Sequence, residues 1–237
     1  MIVYHIFGTL LGVTRETRNL LAFVAPFATW IVLQTLLPAT AGAYAVRGAA
    51  TALVLLAALP TLRAARAPDA ATPHPLPALG MGLVGGLLVL ALWTLPEASA
   101  FYRTWLVLPL GTDAPPAAPS PYAPAVCGWP LTLAKLVGSA FVIAPVEELF
   151  FRSFLYRWIQ KRDFATLPLS RFDLSALLWT IFLFTLEHDR PLAAALCGLV
   201  YGLLAIRFGL LSAITAHMTT NLLLGLYVIL CGQWQYW

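Results

Sequence analysis

Two acidic residues stand side by side in an otherwise apolar run, Ala144-Pro145-Val146-Glu147-Glu148-Leu149-Phe150-Phe151-Arg152. Two further apolar runs also carry polar groups, Phe184-Thr185-Leu186-Glu187-His188 and Ala216-His217-Met218-Thr219-Thr220-Asn221. A carboxylate, two imidazoles and a carboxamide suffice to supply a general acid or base and convergent hydrogen-bond donors. Spacing within each run sharpens this. Glu148 and Arg152 are four apart, share a helix face and are expected to pair as ions in a supporting role. Glu147 points about 100° away around the helix, lacks that cation and is the better acid–base group. His217 and Asn221 are also four apart and project toward one point, as do Phe184 and His188. Glu187 points elsewhere and is placed outside the set. Pro145 removes a backbone hydrogen bond just before the acids and is expected to kink or loosen the helix there.

The elements that position these groups follow from composition. Of the 237 residues 60% are hydrophobic and 10% charged, against about 25% charged in a soluble domain. That balance excludes a disordered chain, a coiled coil and a collagen-like rod, and leaves an all-α polytopic transmembrane bundle. The net charge of +4 is spread over a lipid-soluble chain and implies no nucleic-acid partner. Runs long enough for a bilayer predict seven spans: Asn19–Pro38, Ala41–Leu62, Pro75–Pro96, Trp129–Ile159, Asp173–Glu187, Pro191–Phe208 and Gly209–Cys231. An eighth is open, supplied by the N-terminal segment or by a split at Pro145. With alternating spans, Arg15, Arg18, Arg63, Arg66, Arg157, Lys161, Arg162, Arg171 and Arg207 share one side. The positive-inside rule makes that side cytoplasmic, with the N-terminus inside.

Helical rise then gives depth. Glu147 and Glu148 lie roughly 17 Å from the cytoplasmic face, His217 and Asn221 on the order of 12–18 Å, and His188 about 22 Å. Polar groups at that depth cost several kcal/mol unless paired or facing a wet cavity, so one shared site is the economical arrangement.

The remaining chain is plainer. Residues 1–13 are apolar but too short to cross and predict an interfacial or packed helix, with no basic segment for a cleavable signal. Glu97–Gly128, Pro/Ala/Ser-rich from Ala114 to Pro124, and Ala67–Pro77 read as a loop and a linker. The pairs Gly82/Gly86 and Gly198/Gly202 predict close helix packing. Lys135 and Arg47 are expected to snorkel and the C-terminal aromatics to sit at an interface. His5 and His74 receive no role, and Cys127, Cys197 and Cys231 have no metal-ligand spacing. The organisation is thus one membrane-embedded domain over 1–237. Residues 1–128 supply the N-terminal spans and the external loop, and 129–231 the catalytic helices.

Glu-Glu-x-x-x-Arg, Phe-x-x-x-His and His-x-x-x-Asn, in this order on membrane helices over roughly Leu131–Leu226, resemble the CPBP family of intramembrane proteases, which includes the type II CAAX prenyl endopeptidases. The stretch from His217 through Gly232-Gln233-Trp234 resembles the bacterial branch of CAAX prenyl protease-related proteins found with exosortase sorting systems. The resemblance implies a bundle of about eight helices in the bacterial inner membrane and a membrane-anchored protein or peptide as substrate. It further implies Glu147 as general base on a water, His188 holding that water, and His217 with Asn221 as an oxyanion hole. Glu148, Arg152 and Phe184 support them.

No cofactor is expected. A zinc set of Glu147, His188 and His217 is the alternative, but no His-Glu-x-x-His places two imidazoles on one helix turn. A non-catalytic sorting or immunity module binding a peptide in the same cavity is the second functional class. A proton-coupled transporter is disfavoured by the lack of internal repeats.

Overall fold

The computed structural model describes residues 14–65, 75–96, 99–102, 104 and 119–237. No strand occurs among them. The helices are α1 (Arg15–Leu36), α2 (Ala41–Ala64), α3 (Pro75–Thr94), α4 (Trp129–Gln160), α5 (Leu174–Thr185), α6 (Pro191–Phe208) and α7 (Leu210–Cys231). Six are long and apolar enough to cross a membrane, and α5 is a shorter apolar helix of 12 residues. Large apolar side chains such as Leu53, Leu56, Leu87 and Trp179 point outward, as expected where lipid is the solvent. The protein is an all-α polytopic membrane protein. The N-terminal segment 1–13, most of the 97–128 loop, the greater part of the 67–77 linker, His5 and His74 lie outside the described residues.

Local chemistry sets the helix ends. The Thr14 and Thr40 hydroxyls accept from Thr17 N and Ala43 N, each at 3.2 Å, and start α1 and α2. Asp173 Oδ1 accepts from Ala176 N at 2.8 Å and starts α5. That helix stops at Thr185, two residues before the boundary read from the sequence, because His188 turns back onto the Phe184 carbonyl, Nδ1 to O at 2.8 Å. Gly209, at φ +86°, reverses the chain between α6 and α7, where a side chain would be strained.

Close approach follows the small residues. A Cβ at Gly82 would lie 2.7 Å from the Ser212 carbonyl, and one at Gly86 2.6 Å from the Ala216 carbonyl, so α3 and α7 meet backbone to backbone. Gly198 and Gly202 face side chains of α5 instead: a Cβ at Gly198 would lie 3.4 Å from Phe184 and 3.5 Å from Ile181, and one at Gly202 2.7 Å from Leu177. An aromatic stack secures α4. Phe27 lies 4.1 Å from Phe150 and 5.3 Å from Phe151, and Phe151 meets Phe184 edge-on at 5.3 Å.

The α4 helix carries the acid pair and runs unbroken through Pro145. The expected loosening takes another form than a split. Two π-helical segments, Ser139–Ile143 and Leu149–Leu155, flank the α-helical turn Ala144–Glu148. The Ala144 N–H reaches back five residues to the Ser139 carbonyl, so the ladder absorbs the donor that Pro145 lacks without a kink that divides the span. No eighth span arises here. Wide turns of this kind recur at functional sites.

Candidate active site

The flanking π segments aim the two adjacent acids at one partner. His217, from the middle of α7, presents Nδ1 to Glu148 Oε1 at 2.9 Å and Nε2 to Glu147 Oε2 at 3.8 Å. Glu148 Oε2 faces Arg152 Nε at 3.2 Å, the ion pair expected from their spacing. Arg152 Nη2 in turn donates to the Gly198 carbonyl of α6 at 3.4 Å, and its guanidinium lies 4.4 Å from the centre of the Phe184 ring. A chain of charge thus runs from Arg152 through Glu148 to His217, with every member buried. Glu147 Oε2 is buried and has no hydrogen-bond partner. An unsatisfied carboxylate oxygen beside a held imidazole is a group free to bind and release a proton.

Residues 129–223 match the family model of the Rce1-like type II CAAX prenyl endopeptidases. This part of the chain is Rce1-like. The match covers α4, α5, α6 and the first part of α7, less than half of the chain, and contains every side chain just named. Neither a curated protein nor a solved structure matches the chain.

Within the Rce1-like segment, His188 lies over Phe184, ring centres 4.5 Å apart, and edge-on to Trp93 at 5.8 Å. Because a carbonyl only accepts, the contact with Phe184 O assigns the proton to Nδ1 and leaves Nε2 of the neutral ring as an acceptor. Phe184 also contacts His217, ring centres 6.1 Å apart, and so stands between the imidazoles. Asn221 Nδ2 donates to the Ser139 carbonyl at 3.1 Å, the oxygen around which the first π segment turns. One amide N–H of Asn221 is spent there and the second remains. The structure therefore joins Glu147, Glu148, Arg152, His217 and Phe184 by direct contact. It places His188 next to Phe184 and ties Asn221 to the same helix as the acids.

Three features escape a reading of the sequence. Glu148 serves His217 as well as Arg152, which the four-residue spacing alone does not reveal. Tyr201 of α6 stacks on His217, ring centres 4.7 Å apart and planes 22° apart, and its hydroxyl donates to Thr220 Oγ1 at 2.9 Å. The Thr220 hydroxyl lies 3.0 Å from the Gly86 carbonyl, which ties α3 to the imidazole's support. Among the described residues no group of three or more His, Cys, Asp or Glu side chains is placed to hold a metal ion.

Proposed function

We propose that the protein is an intramembrane endopeptidase that hydrolyses a peptide bond of a membrane-anchored protein or peptide, using a water activated by Glu147. The observation that carries this reading is the double engagement of His217 by Glu148 and Glu147, within a segment that matches the Rce1-like endopeptidases. Glu147 takes a proton from the water as it attacks the scissile carbonyl and passes it to the leaving amine. His188, with Nε2 as an acceptor, holds the water's second hydrogen and orients a lone pair toward the carbonyl carbon. His217, its ring held by the Glu148 carboxylate at Nδ1, points Nε2 toward the reacting centre as a donor to the oxyanion. The remaining Asn221 N–H is the second donor. Buried sites magnify such contacts, and one oxyanion donor is worth about 10²–10³ in rate.

The chemistry balances without a cofactor: water and peptide bond are consumed, and a carboxylate and an amine are formed. The distribution of basic residues supports a cytoplasmic N-terminus, and the resemblance to the exosortase-associated branch supports the bacterial inner membrane and a substrate drawn from a protein-sorting system. The test is a comparison of membrane-protein termini in cells carrying wild-type or Glu147→Gln protein, followed by cleavage of the differing substrate by purified protein in detergent. The expected result is a set of new termini only with wild type. Identical termini in both, with both proteins folded, overturn the reading and leave a peptide-binding module.

A further inference from the structure

Two cations, Arg47 of α2 and Lys135 of α4, are inserted among aromatic rings and have no acidic partner among the described residues. The Arg47 guanidinium lies 4.0 Å from the Trp30 ring centre and 5.2 Å from that of Tyr44. Lys135 Nζ lies 4.2 Å from the Tyr44 ring, 4.8 Å from Tyr122 and 5.8 Å from Trp237. The rings form one continuous edge-to-face series from Trp30 through Tyr44 and Tyr122 to Trp237. Both side chains are half-buried, and Arg47 Nε is fully covered yet has no acceptor.

Two half-buried like charges repel, and among the described residues the groups facing them are aromatic rings. A ring face attracts a guanidinium without accepting its in-plane N–H bonds, so the buried Arg47 Nε–H stays unspent. The cluster also adjoins the candidate active site. Tyr44 packs against Gly138, where a Cβ would lie 3.1 Å from its ring, and its hydroxyl faces Ser139, whose carbonyl holds Asn221.

We infer that Arg47 and Lys135 form a carboxylate-binding subsite that takes the anionic group of a peptide whose scissile bond lies at Glu147. A carboxylate supplies a counter-charge to both cations, which have none among the described residues, and an acceptor for Arg47 Nε. A peptide is favoured over a lipid phosphate because the subsite is linked to the acid-bearing helix through Tyr44 and Ser139. The inference rests on the peptidase reading for the identity of its ligand, but it is tested by binding rather than by turnover.

The experiment uses full-length Glu147→Gln protein in zwitterionic nanodiscs and three fluorescein-labelled random hexapeptide pools. One pool lacks Asp and Glu and has a free C-terminal carboxylate, one is the same pool amidated, and one is amidated with a single fixed Glu. The expected result is about tenfold tighter binding of a carboxylate pool than of the plain amide pool, the size of one charge-assisted contact. That preference is lost in Arg47→Gln/Lys135→Gln and kept in Arg47→Lys/Lys135→Arg. Whether the free terminus or the fixed Glu confers it identifies the carboxylate's source. Equal binding of all pools by the unsubstituted cage overturns the inference without recourse to a cage variant. So does a preference that survives the double Gln substitution, or one abolished by replacing the lipid with phosphatidylglycerol at matched ionic strength, which reassigns the cage to a headgroup. If the carboxylate preference stands while no cleavage is ever found, the peptidase reading fails alone.

Discussion

Glu148 and His217 meet across two helices, Oε1 to Nδ1 at 2.9 Å, with Glu148 fully buried. The same carboxylate holds Arg152 with its other oxygen, so it fixes the imidazole's orientation and proton position while its own charge is neutralised. Glu148→Gln keeps the shape and removes the charge that holds the imidazole. Cleavage should fall about 10–100-fold, the usual effect of losing an orienting partner. Glu148→Ala should also unfold the protein at lower temperature, because it strands a buried guanidinium at a cost of about 3–5 kcal/mol. Thermal melts in detergent beside cleavage rates separate the two variants. A Glu148→Gln protein with wild-type rates removes Glu148 from the mechanism.

Glu147 is the opposite case. Its Oε2 has no hydrogen-bond partner and faces His217 Nε2 only at 3.8 Å, so changing it breaks no hydrogen bond at that oxygen. Glu147→Gln should leave the melting temperature unchanged or raised, since an unsatisfied buried charge is relieved. Cleavage should fall at least about 10²–10⁴-fold, as expected for loss of a general base. A loss of stability comparable to that of Glu148→Ala would show Glu147 to be structural instead.

Much of this arrangement was legible in the sequence because a bilayer leaves few options for backbone and charge. All the long apolar runs became helices within a few residues of their expected bounds, and the Glu148–Arg152 pair and the packing of Gly82/Gly86 and Gly198/Gly202 followed from spacing alone. What spacing does not supply is the relation between helices. Which of two adjacent acids reaches His217 depends on the π segments on either side of them, and π turns have no residue signature comparable to a proline or a cap. Tyr201 was invisible for a related reason: an aromatic on an apolar helix looks like core until its stacking partner is known.

The contact between α3 and α7 can be tested independently of chemistry. A Cβ at Gly86 would meet the Ala216 carbonyl at 2.6 Å and the Thr219 Cβ at 2.6 Å, and Thr220 bonds the Gly86 carbonyl. Backbone on both sides leaves no flexible group to give way. Gly86→Val should therefore push α7 outward and destabilise the protein by about 1–3 kcal/mol or more, with a lower melting temperature. Gly42, which has open space around its Cβ position, serves as the comparison, and Gly42→Ala should melt as wild type.

Asn221 has two expected duties, and its variants can be made to tell them apart. One N–H holds the Ser139 carbonyl and with it the first π segment; the other is assigned to the oxyanion. Asn221→Ala should cost about 10²–10³ in turnover with little change in KM, the pattern of an interaction made only in the transition state. Asn221→Asp keeps the side-chain size but replaces the donor with an acceptor beside the Ser139 carbonyl, so it should lose turnover and also lower the melting temperature. Chelator treatment of the wild-type enzyme belongs to the same series. The water-activation chemistry assigned to Glu147 needs no metal, and cleavage by protein dialysed against EDTA should match the untreated rate. Restoration by zinc of activity lost on dialysis would replace the oxyanion assignment of His217 and Asn221 with a metal-centred one.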